Sequence, residues 1–202
     1  MCAKQGIESL NDCFDIPYAY CEQLTKEVDR SWLNRNLGET YYMMDVLVKH
    51  WPANMWVNTP VEMVDLMAKE YGIDYRNIEE IVVNPPTQYR MHYEKDGFDT
   101  LMAAQFSIPY VIAASLIDPQ PGPNWYTGEM FRNPELLELA GKVKAGPDKE
   151  DTLLGAFHIF QEGSHPEKTV TITMKDGTVY KKTQRTHKGH PLDMMSREEF
   201  CD

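Results

Sequence analysis

Long apolar runs, paired cysteines and a basic amino terminus are all missing from this sequence. No run approaches the roughly 18 apolar residues of a membrane span, and no basic segment leads into an apolar one as in a secretory signal. The four cysteines form no CxxC pair, which favours reduced thiols over a zinc site or a disulfide framework. We therefore expect a cytoplasmic protein that has no membrane partner.

An excess of positive charge is also missing, and this excludes a class of partner. The chain has 20 Lys and Arg residues against 31 Asp and Glu residues, a formal net charge of −11 at pH 7. Such a surface repels nucleic acid unless a local basic patch intervenes. The candidate patch, KKTQRTHKGH at 181–190, is typical of a solvated edge, and contact with an acidic partner or substrate is its second interpretation. We expect no nucleic acid partner.

The usual signatures of cofactor binding and nucleophilic catalysis do not occur either. The sequence contains no glycine-rich phosphate loop, no HExxH and no GxSxG. We therefore expect neither a metal nor an organic cofactor. What the sequence does contain is 202 residues, of which 42% are hydrophobic, enough for one substantial core or two small ones.

The clearest helix signals lie in NTPVEMVDLMAKEYGI. Thr59 is a candidate N-cap, Pro60 suits the first helical position, Glu62 completes a Thr-x-x-Glu capping box, and Gly72 suits the C-terminal end. The spacing predicts a buried stripe of Val61, Val64, Ala68 and Tyr71. A second helix is predicted in NPELLELAGKVKA, with Asn133 as its cap and Pro134 at its first position.

Apolar patterning predicts the remaining elements. The segment YAYCEQLTKEVDRSWLNRNLG indicates a helix that ends at Gly38, and ETYYMMDVLVKHWP is apolar enough to be buried. DTLMAAQFSIPYVIAASLID indicates one long buried helix despite Pro109, and IEEIVVNPP a strand. KTVTITMKDGTVYKKTQ alternates around Asp176-Gly177, which predicts a β-hairpin with a type I′ turn.

This order of elements is not the strict alternation of a doubly wound sheet. A strand, two helices and a hairpin in succession indicate an α+β fold, with helices packed on a small, mostly antiparallel sheet. We expect a helical entry segment over residues 1–45 and an α+β domain over residues 46–202.

Several of these segments together resemble a known family. KHWPAN, NTPVEMV, IEEIVV, AQFSIPYVIAASLID and GHPLDMMSREEF resemble, in this order, the carboxy-terminal part of the MmgE/PrpD family. That family includes 2-methylcitrate dehydratase, cis-aconitate decarboxylase and iminodisuccinate epimerase. The most specific element is AQFSIPYVIAASL, and the resemblance extends over nearly the whole chain from about Gly6. It implies an MmgE/PrpD-type lid domain.

The resemblance also implies a missing half. Family members are about twice as long and place an all-helical domain before the lid. We therefore expect an all-helical partner that is a separate polypeptide, or a helical domain that has been lost, and a homo- or hetero-oligomer. An apolar face formed by Trp51, Met55 and Trp56 is the expected contact with such a partner.

By the same resemblance, particular residues are assigned to a substrate site. Lys49 matches a lysine that faces the carboxylates of a di- or tricarboxylic substrate, whereas Asn54 and Asn58 stand where relatives commonly have histidines. Both asparagines can hydrogen-bond a carboxylate but cannot exchange a proton near neutral pH. Tyr89 matches a tyrosine that contacts substrate, which makes it the candidate catalytic residue, and Ser107 is a candidate substrate contact on the motif helix.

The function implied is one half of a lyase or isomerase for a small polycarboxylic acid. The reaction would begin with proton abstraction next to a carboxylate and continue as dehydration, decarboxylation or epimerisation. The alternative is a non-catalytic binding or regulatory subunit that retains the lid fold, which Asn54 and Asn58 favour. His50 is not a motif residue and is interpreted as structural.

Overall fold

The computed structural model describes residues 2–6, 20–27, 29, 31, 34–149 and 167–201. The chain divides into two compact units, Met1–Asp45 and Val46–Asp202. The elements described in the first unit are short: 3-10 helices at Cys2–Gln5 and Tyr42–Asp45, and helix α1 at Tyr20–Leu24.

Helix α1 is much shorter than the predicted helix ending at Gly38. The hydroxyl of Thr25, directly after α1, donates to the carbonyl oxygen of Glu27 at 2.9 Å and accepts from the Glu27 N–H at 3.4 Å. Such local side-chain bonds compete with helical backbone bonds, and the described residues from 25 to 27 are not helical. Residues 18, 19, 28, 30, 32 and 33 of that prediction lie outside the described residues.

The second unit contains the longer helices and the sheet. Its α-helices are α2 (Met55–Tyr71), α3 (Leu101–Gln105), α4 (Ile108–Ile117), α5 (Gly128–Phe131), α6 (Pro134–Gly141) and α7 (Arg197–Cys201). Short 3-10 helices lie at Tyr75–Asn77, Gln88–Arg90 and Pro123–Tyr126.

The described strands form one four-stranded sheet in the order β2-β1-β3-β4. The strands are β1 (Ile78–Asn84), β2 (Val143–Ala145), β3 (Lys168–Met174) and β4 (Val179–Gln184). Ile81 of β1 pairs with Val143 in a parallel register and with Ile172 in an antiparallel register. Because the β3–β4 pair is also antiparallel, the predicted α+β fold with a mostly antiparallel sheet is confirmed.

The core lies between the sheet and the two central helices. Helix α2 packs against α4, β3 and β4, and α4 packs against α6 and β2. The buried side chains include Val57, Val61, Met63, Ile81, Ile112, Leu136 and Ile172. Complete burial of each Val, Leu or Ile side chain contributes about 1.5–3 kcal/mol, so this layer fixes the elements that carry the site.

Helix α2 begins earlier than predicted. Its N-cap is Asn54, whose side-chain oxygen accepts from the Trp56 N–H, and the predicted cap Thr59 is an interior residue together with Pro60. Glu62 therefore completes no capping box and instead accepts from the Lys188 N–H at 2.8 Å. The predicted C-terminal end is confirmed, since Gly72 adopts the left-handed conformation with φ of 62°.

The predicted stripe of α2 is half confirmed. Val61 and Val64 are fully buried and Ala68 is half-buried, but Tyr71 is exposed. The Tyr71 ring stacks on Tyr180 with their centroids 4.6 Å apart, at the edge formed by β4. The apolar stripe thus ends one turn before the helix does.

The long buried helix predicted around Pro109 is two helices, α3 and α4. Ser107 is the N-cap of α4, because its hydroxyl accepts from the Tyr110 N–H at 3.1 Å, and Pro109 occupies the first turn, where a missing N–H costs nothing. The chain therefore turns at Phe106. This turn brings residues 105–106 to the surface.

The predictions for α6 and the hairpin are confirmed in part. Asn133 caps α6 as predicted, but the helix ends at Gly141 and Val143–Ala145 pairs with β1 as a strand. The hairpin turn is not type I′, which needs positive φ at both central residues. Of its residues, Gly177 alone has positive φ, and Asp176 accepts from the Thr178 N–H at 2.8 Å, which favours a longer loop.

Two predictions about apolar exposure are wrong. The segment before α2 is predicted to be buried, but Val46 and Val48 are exposed and Leu47 is half-buried, because these residues form no helix or strand that would turn an apolar face to the core. Conversely, the predicted exposed face is largely buried. Trp51 is 2% exposed and stacks on Trp125, while Trp56 is 8% exposed.

Among the described residues, no helix is both long and apolar enough to cross a membrane.

Candidate functional site

A cleft of about 370 Å³ lies where the segment before α2 meets the α3–α4 junction. The residues that line it are Lys49, His50, Trp51, Pro52, Ala53, Asn54, Gln105, Phe106 and Pro121. We call residues 49–54 the lysine segment. The cleft thus contains two residues predicted to bind substrate, Lys49 and Asn54.

The lysine segment is irregular, yet it is fixed at both ends by backbone bonds. At its start, the Val48 N–H donates to the carbonyl oxygen of Gly189 at 2.8 Å. At its end, the Asn54 N–H donates to the carbonyl oxygen of Gln105 at 3.0 Å. Backbone groups satisfied in this way hold a loop without regular secondary structure.

A half-buried tyrosine supports the middle of the segment. The Tyr126 hydroxyl donates to the carbonyl oxygen of Pro52 at 2.7 Å, and its ring stacks on Tyr110 with centroids 6.0 Å apart. Burial raises the pKa of both phenols well above the usual range, so both hydroxyls stay protonated and act as donors.

Asn58, a predicted substrate contact, lies beneath the segment instead of in the cleft. It is fully buried, and its side-chain oxygen accepts from the Trp51 N–H at 3.3 Å. Its amide donates to the carbonyl oxygens of Asn54 at 2.9 Å and Ala53 at 3.5 Å. The structure therefore gives Asn58 the position of a support for Lys49 and Asn54, and direct contact with substrate stays a prediction.

The cleft is lined by cationic and neutral groups. Lys49 is exposed and makes no ion pair with any described residue, and no carboxylate occurs among the lining residues. His50 stands edge-on to Trp51, with ring centroids 4.9 Å apart, and partial burial lowers the pKa of its imidazole against the opposing effect of Asp65. The imidazole is therefore neutral at pH 7, and such a cleft suits an anion.

The other two predicted site residues do not line the cleft. Tyr89 is 37% exposed and lies on the 3-10 helix Gln88–Arg90. Ser107 is fully buried, and its hydroxyl donates to the carbonyl oxygen of His92 at 2.7 Å while capping α4. Ser107 thus joins the loop that carries Tyr89 to the start of α4, and its contact with substrate stays a prediction.

Gln105 and Phe106 are cleft residues that sequence reasoning did not assign to the site. The sequence pattern predicts them inside a continuous helix, where their side chains would be packed. The available signal was the sequence Ser107-Ile-Pro109, since a serine two residues before a proline is typical of a helix start. Recognising this start would have put residues 105–106 in a partly exposed junction between two helices.

Comparison with protein-family models matches residues 51–202 to the MmgE/PrpD C-terminal domain. The chain belongs to the MmgE/PrpD family. The resemblance from WPAN through GHPLDMMSREEF is thereby confirmed for the C-terminal domain. No curated protein matches the chain.

The MmgE/PrpD match begins at Trp51, directly after Lys49 and His50. The cleft therefore combines family residues with two that precede the matched range. In the ranges that the structure describes, no three His, Cys, Asp or Glu side chains lie together where they could hold a metal ion.

Proposed function

We propose that this MmgE/PrpD C-terminal domain is the lid half of a lyase or isomerase for a small di- or tricarboxylic acid. The residue range of this lid is 46–202, and an all-helical partner completes the site in a homo- or hetero-oligomer. The observation that carries the proposal is Lys49, an exposed cation without a described ion-pair partner, in a cleft without carboxylates. A carboxylate ligand would supply the missing negative charge.

In this proposal each residue has a defined part. Lys49 binds a carboxylate and the Asn54 amide orients it, while a base from the helical partner removes the proton on the adjacent carbon. The electron pair enters an enolate, to which the Tyr89 hydroxyl donates a hydrogen bond or a proton. Loss of hydroxide from the neighbouring carbon then completes dehydration, and reprotonation on the opposite face completes epimerisation. In decarboxylation the electron pair comes from loss of CO2 instead of proton removal, and protonation of the enolate completes the reaction. In this proposal the reaction uses no metal ion and no organic cofactor.

Lys49→Met tests the anion site. We expect it to weaken succinate binding by about 2 kcal/mol, roughly thirtyfold in Kd, because a carboxylate loses its charged partner. Lys144→Met is the matched control, since Lys144 is an exposed lysine on β2 outside the cleft. Calorimetric titration measures both. Equal affinity in the wild type and Lys49→Met would contradict the proposal.

Catalysis requires a separate experiment with the helical partner present. Tyr89→Phe in that complex should lower turnover by roughly tenfold to a hundredfold, with a smaller effect on substrate binding. If Tyr89→Phe and Asn54→Ala both leave turnover intact, the domain is only a cover for chemistry carried out by the partner.

A non-catalytic binding subunit is the second candidate. It is favoured by the observation that Asn54 is used as a helix cap and Asn58 as a buried support, so neither position supplies an acid or base. This candidate predicts that succinate binds and that the complex with the helical partner gives no exchange of substrate carbon-bound hydrogen with solvent deuterium. Such exchange would favour the enzyme.

A further inference from the structure

Arg90 is a second cation close to the cleft. It ends the 3-10 helix Gln88–Arg90, and its guanidinium carbon lies 4.2 Å from the centroid of the Phe106 ring and 4.6 Å from that of Tyr89. Phe106 lines the cleft, and Tyr89 is the predicted proton donor. The guanidinium therefore lies against one ring of the cleft wall and one ring of the predicted catalytic residue.

Unlike Arg76, Arg132 and Arg185, Arg90 makes no ion pair with a described carboxylate. Its Nε atom is buried and has no hydrogen-bond acceptor, although the residue as a whole is partly exposed. Burial lowers the pKa of the guanidinium, and its interaction with Tyr89 opposes this shift. A partly desolvated cation without a counterion is costly, and in a chain with 31 acidic residues an available carboxylate partner would be common.

Arg76 shows the usual arrangement in the same protein. Its guanidinium carbon lies 4.6 Å from the centroid of the Tyr75 ring, as that of Arg90 does from Tyr89. Arg76 nevertheless pairs with Glu135 at 3.2 Å and with Asp74 at 3.8 Å. Both arginines thus lie against an aromatic ring. Of the two, Arg76 alone has described carboxylates beside it.

The loop that carries Arg90 is fixed against the cleft wall. The Arg90 N–H donates to the carbonyl oxygen of Thr87 at 2.8 Å. Two residues later, His92 accepts the Ser107 hydroxyl through its carbonyl oxygen and contacts the carbonyl oxygen of Ala103 through Nε2 at 2.8 Å. The guanidinium is therefore restrained before any ligand arrives, which reduces the entropy cost of binding one.

We propose that Arg90 binds the second carboxylate of an acid whose first carboxylate is bound by Lys49. This inference rests on the proposed function and adds a second ligand residue for its di- or tricarboxylic substrate. A guanidinium offers a planar pair of N–H donors that matches a carboxylate, and aromatic rings on its faces do not use these edge donors. A hydrogen bond with Tyr89 occupies part of the Arg90 donors. Lys49 supplies a point charge and Arg90 supplies orientation.

The experiment compares two acids on the full 202-residue chain. Succinate has two carboxylates and acetate has one, and each is titrated by calorimetry into wild type, Arg90→Gln, Lys49→Met and Arg76→Gln. We expect Arg90→Gln to weaken succinate binding about tenfold or more and to leave acetate binding within about twofold. Arg76→Gln removes an equal charge from an arginine on an aromatic ring and should change neither.

Two further measurements distinguish the loss of a ligand contact from misfolding of a variant. They are the Arg90→Lys variant and a spectroscopic readout. Arg90→Lys keeps the charge and loses the planar pair of donors, so it should restore part of the succinate affinity. In wild type, the Arg90 Nε–Hε resonance should shift with succinate and not with acetate.

The outcomes separate this inference from the proposed function. If Lys49→Met weakens succinate binding and Arg90→Gln does not, the assignment of Arg90 is overturned and the anion site stands. If Arg90→Gln weakens acetate and succinate equally, Arg90 does not select a second carboxylate. If neither acid binds the wild type at millimolar concentration, both proposals fall.

Discussion

The backbone of Gly189 lies directly against that of Val48. The Val48 N–H donates to the Gly189 carbonyl oxygen at 2.8 Å, and a Cβ atom on Gly189 would overlap the Val48 carbonyl oxygen. Gly189 also has a φ of +92°, which other residues rarely adopt. The C-terminal tail therefore fixes the start of the lysine segment through a contact that only glycine permits.

Gly189→Ala should move Lys49. We expect a loss of about 1–3 kcal/mol in the free energy of unfolding, from backbone strain and from the overlap with Val48. Succinate affinity should fall as well, since Lys49 directly follows Val48 and would move with it. Urea unfolding and calorimetry measure the two effects.

Gly72→Ala is the matched control for this prediction. Gly72 has a φ of +62°, but a Cβ there meets no atom within 4 Å. It therefore carries the strain without the overlap, and should leave succinate affinity unchanged. Equal effects of the two substitutions on stability and binding would mean that the close approach of Gly189 to Val48 is unimportant.

Asn58→Leu should destabilise the lysine segment from below. The change leaves the Trp51 N–H and the carbonyl oxygens of Ala53 and Asn54 without their buried partner, so we expect a loss of about 2–4 kcal/mol in unfolding free energy. Asn58→Asp keeps the acceptor for Trp51 and should lose less unless the carboxylate is ionised. If Asn58→Leu abolished succinate binding with unchanged stability, Asn58 would be a direct ligand contact and not a support.

Tyr126→Phe removes one hydroxyl and keeps the ring. The Pro52 carbonyl oxygen loses its donor, which should cost about 1 kcal/mol in unfolding free energy. We expect a modest loss of succinate affinity, because the segment keeps its bonds to Gly189 and Gln105. Tyr20→Phe, on an exposed tyrosine of α1, is the control. A gain in affinity would show that the Tyr126 bond holds the segment in an unproductive position.

Acid should weaken the tail that holds the lysine segment. Burial lowers the pKa of His190 below its usual value although Asp193 opposes the shift, and its Nδ1 accepts from the Leu192 N–H at 3.0 Å. A lowered folded-state pKa stabilises the fold above the unfolded-state value near 6.5, and this contribution is lost as the pH falls through the folded-state pKa. His50 changes stability in the same direction.

His190→Asn tests this pH dependence. The asparagine side-chain oxygen can accept the hydrogen bond from the Leu192 N–H, but the asparagine does not titrate. Between about pH 7 and pH 5 the variant should lose less unfolding free energy than the wild type. Glu62 works in the opposite direction, since burial raises the pKa of its carboxyl and its contribution is lost as the pH rises. An identical pH profile in the variant and the wild type would exclude His190 as a contributor.

Elements with strong local signals were predictable from the sequence. These signals act through hydrogen bonds with near neighbours, so a few consecutive residues are enough to recognise them. Examples are Gly72, Asn133 and the alternating strands of the hairpin. Strand β2 carries no such signal. Its three residues, Val143–Ala145, form a strand only because β1 offers them a free edge.

The start of α2 shows why the site was harder to predict than the fold. Asn54 and Thr59 are both good caps, and the sequence does not choose between them. The choice follows from tertiary bonds, since Gln105 accepts the Asn54 N–H and Asn58 needs a helical position to reach Trp51. Likewise, the residue types of Asn58 and Ser107 do not reveal that both side chains face inward.

The position of β1 at the centre of the sheet has a consequence for synthesis of the chain. Ile81 pairs with Val143 on one side and with Ile172 on the other. Neither edge of β1 can therefore be paired while only the first half of the protein has left the ribosome. Closing such distant pairs makes folding slow and leaves an unpaired apolar strand exposed meanwhile. A nascent chain cut before residue 168 would lack β3, and would be a natural client for chaperones that cover strand edges.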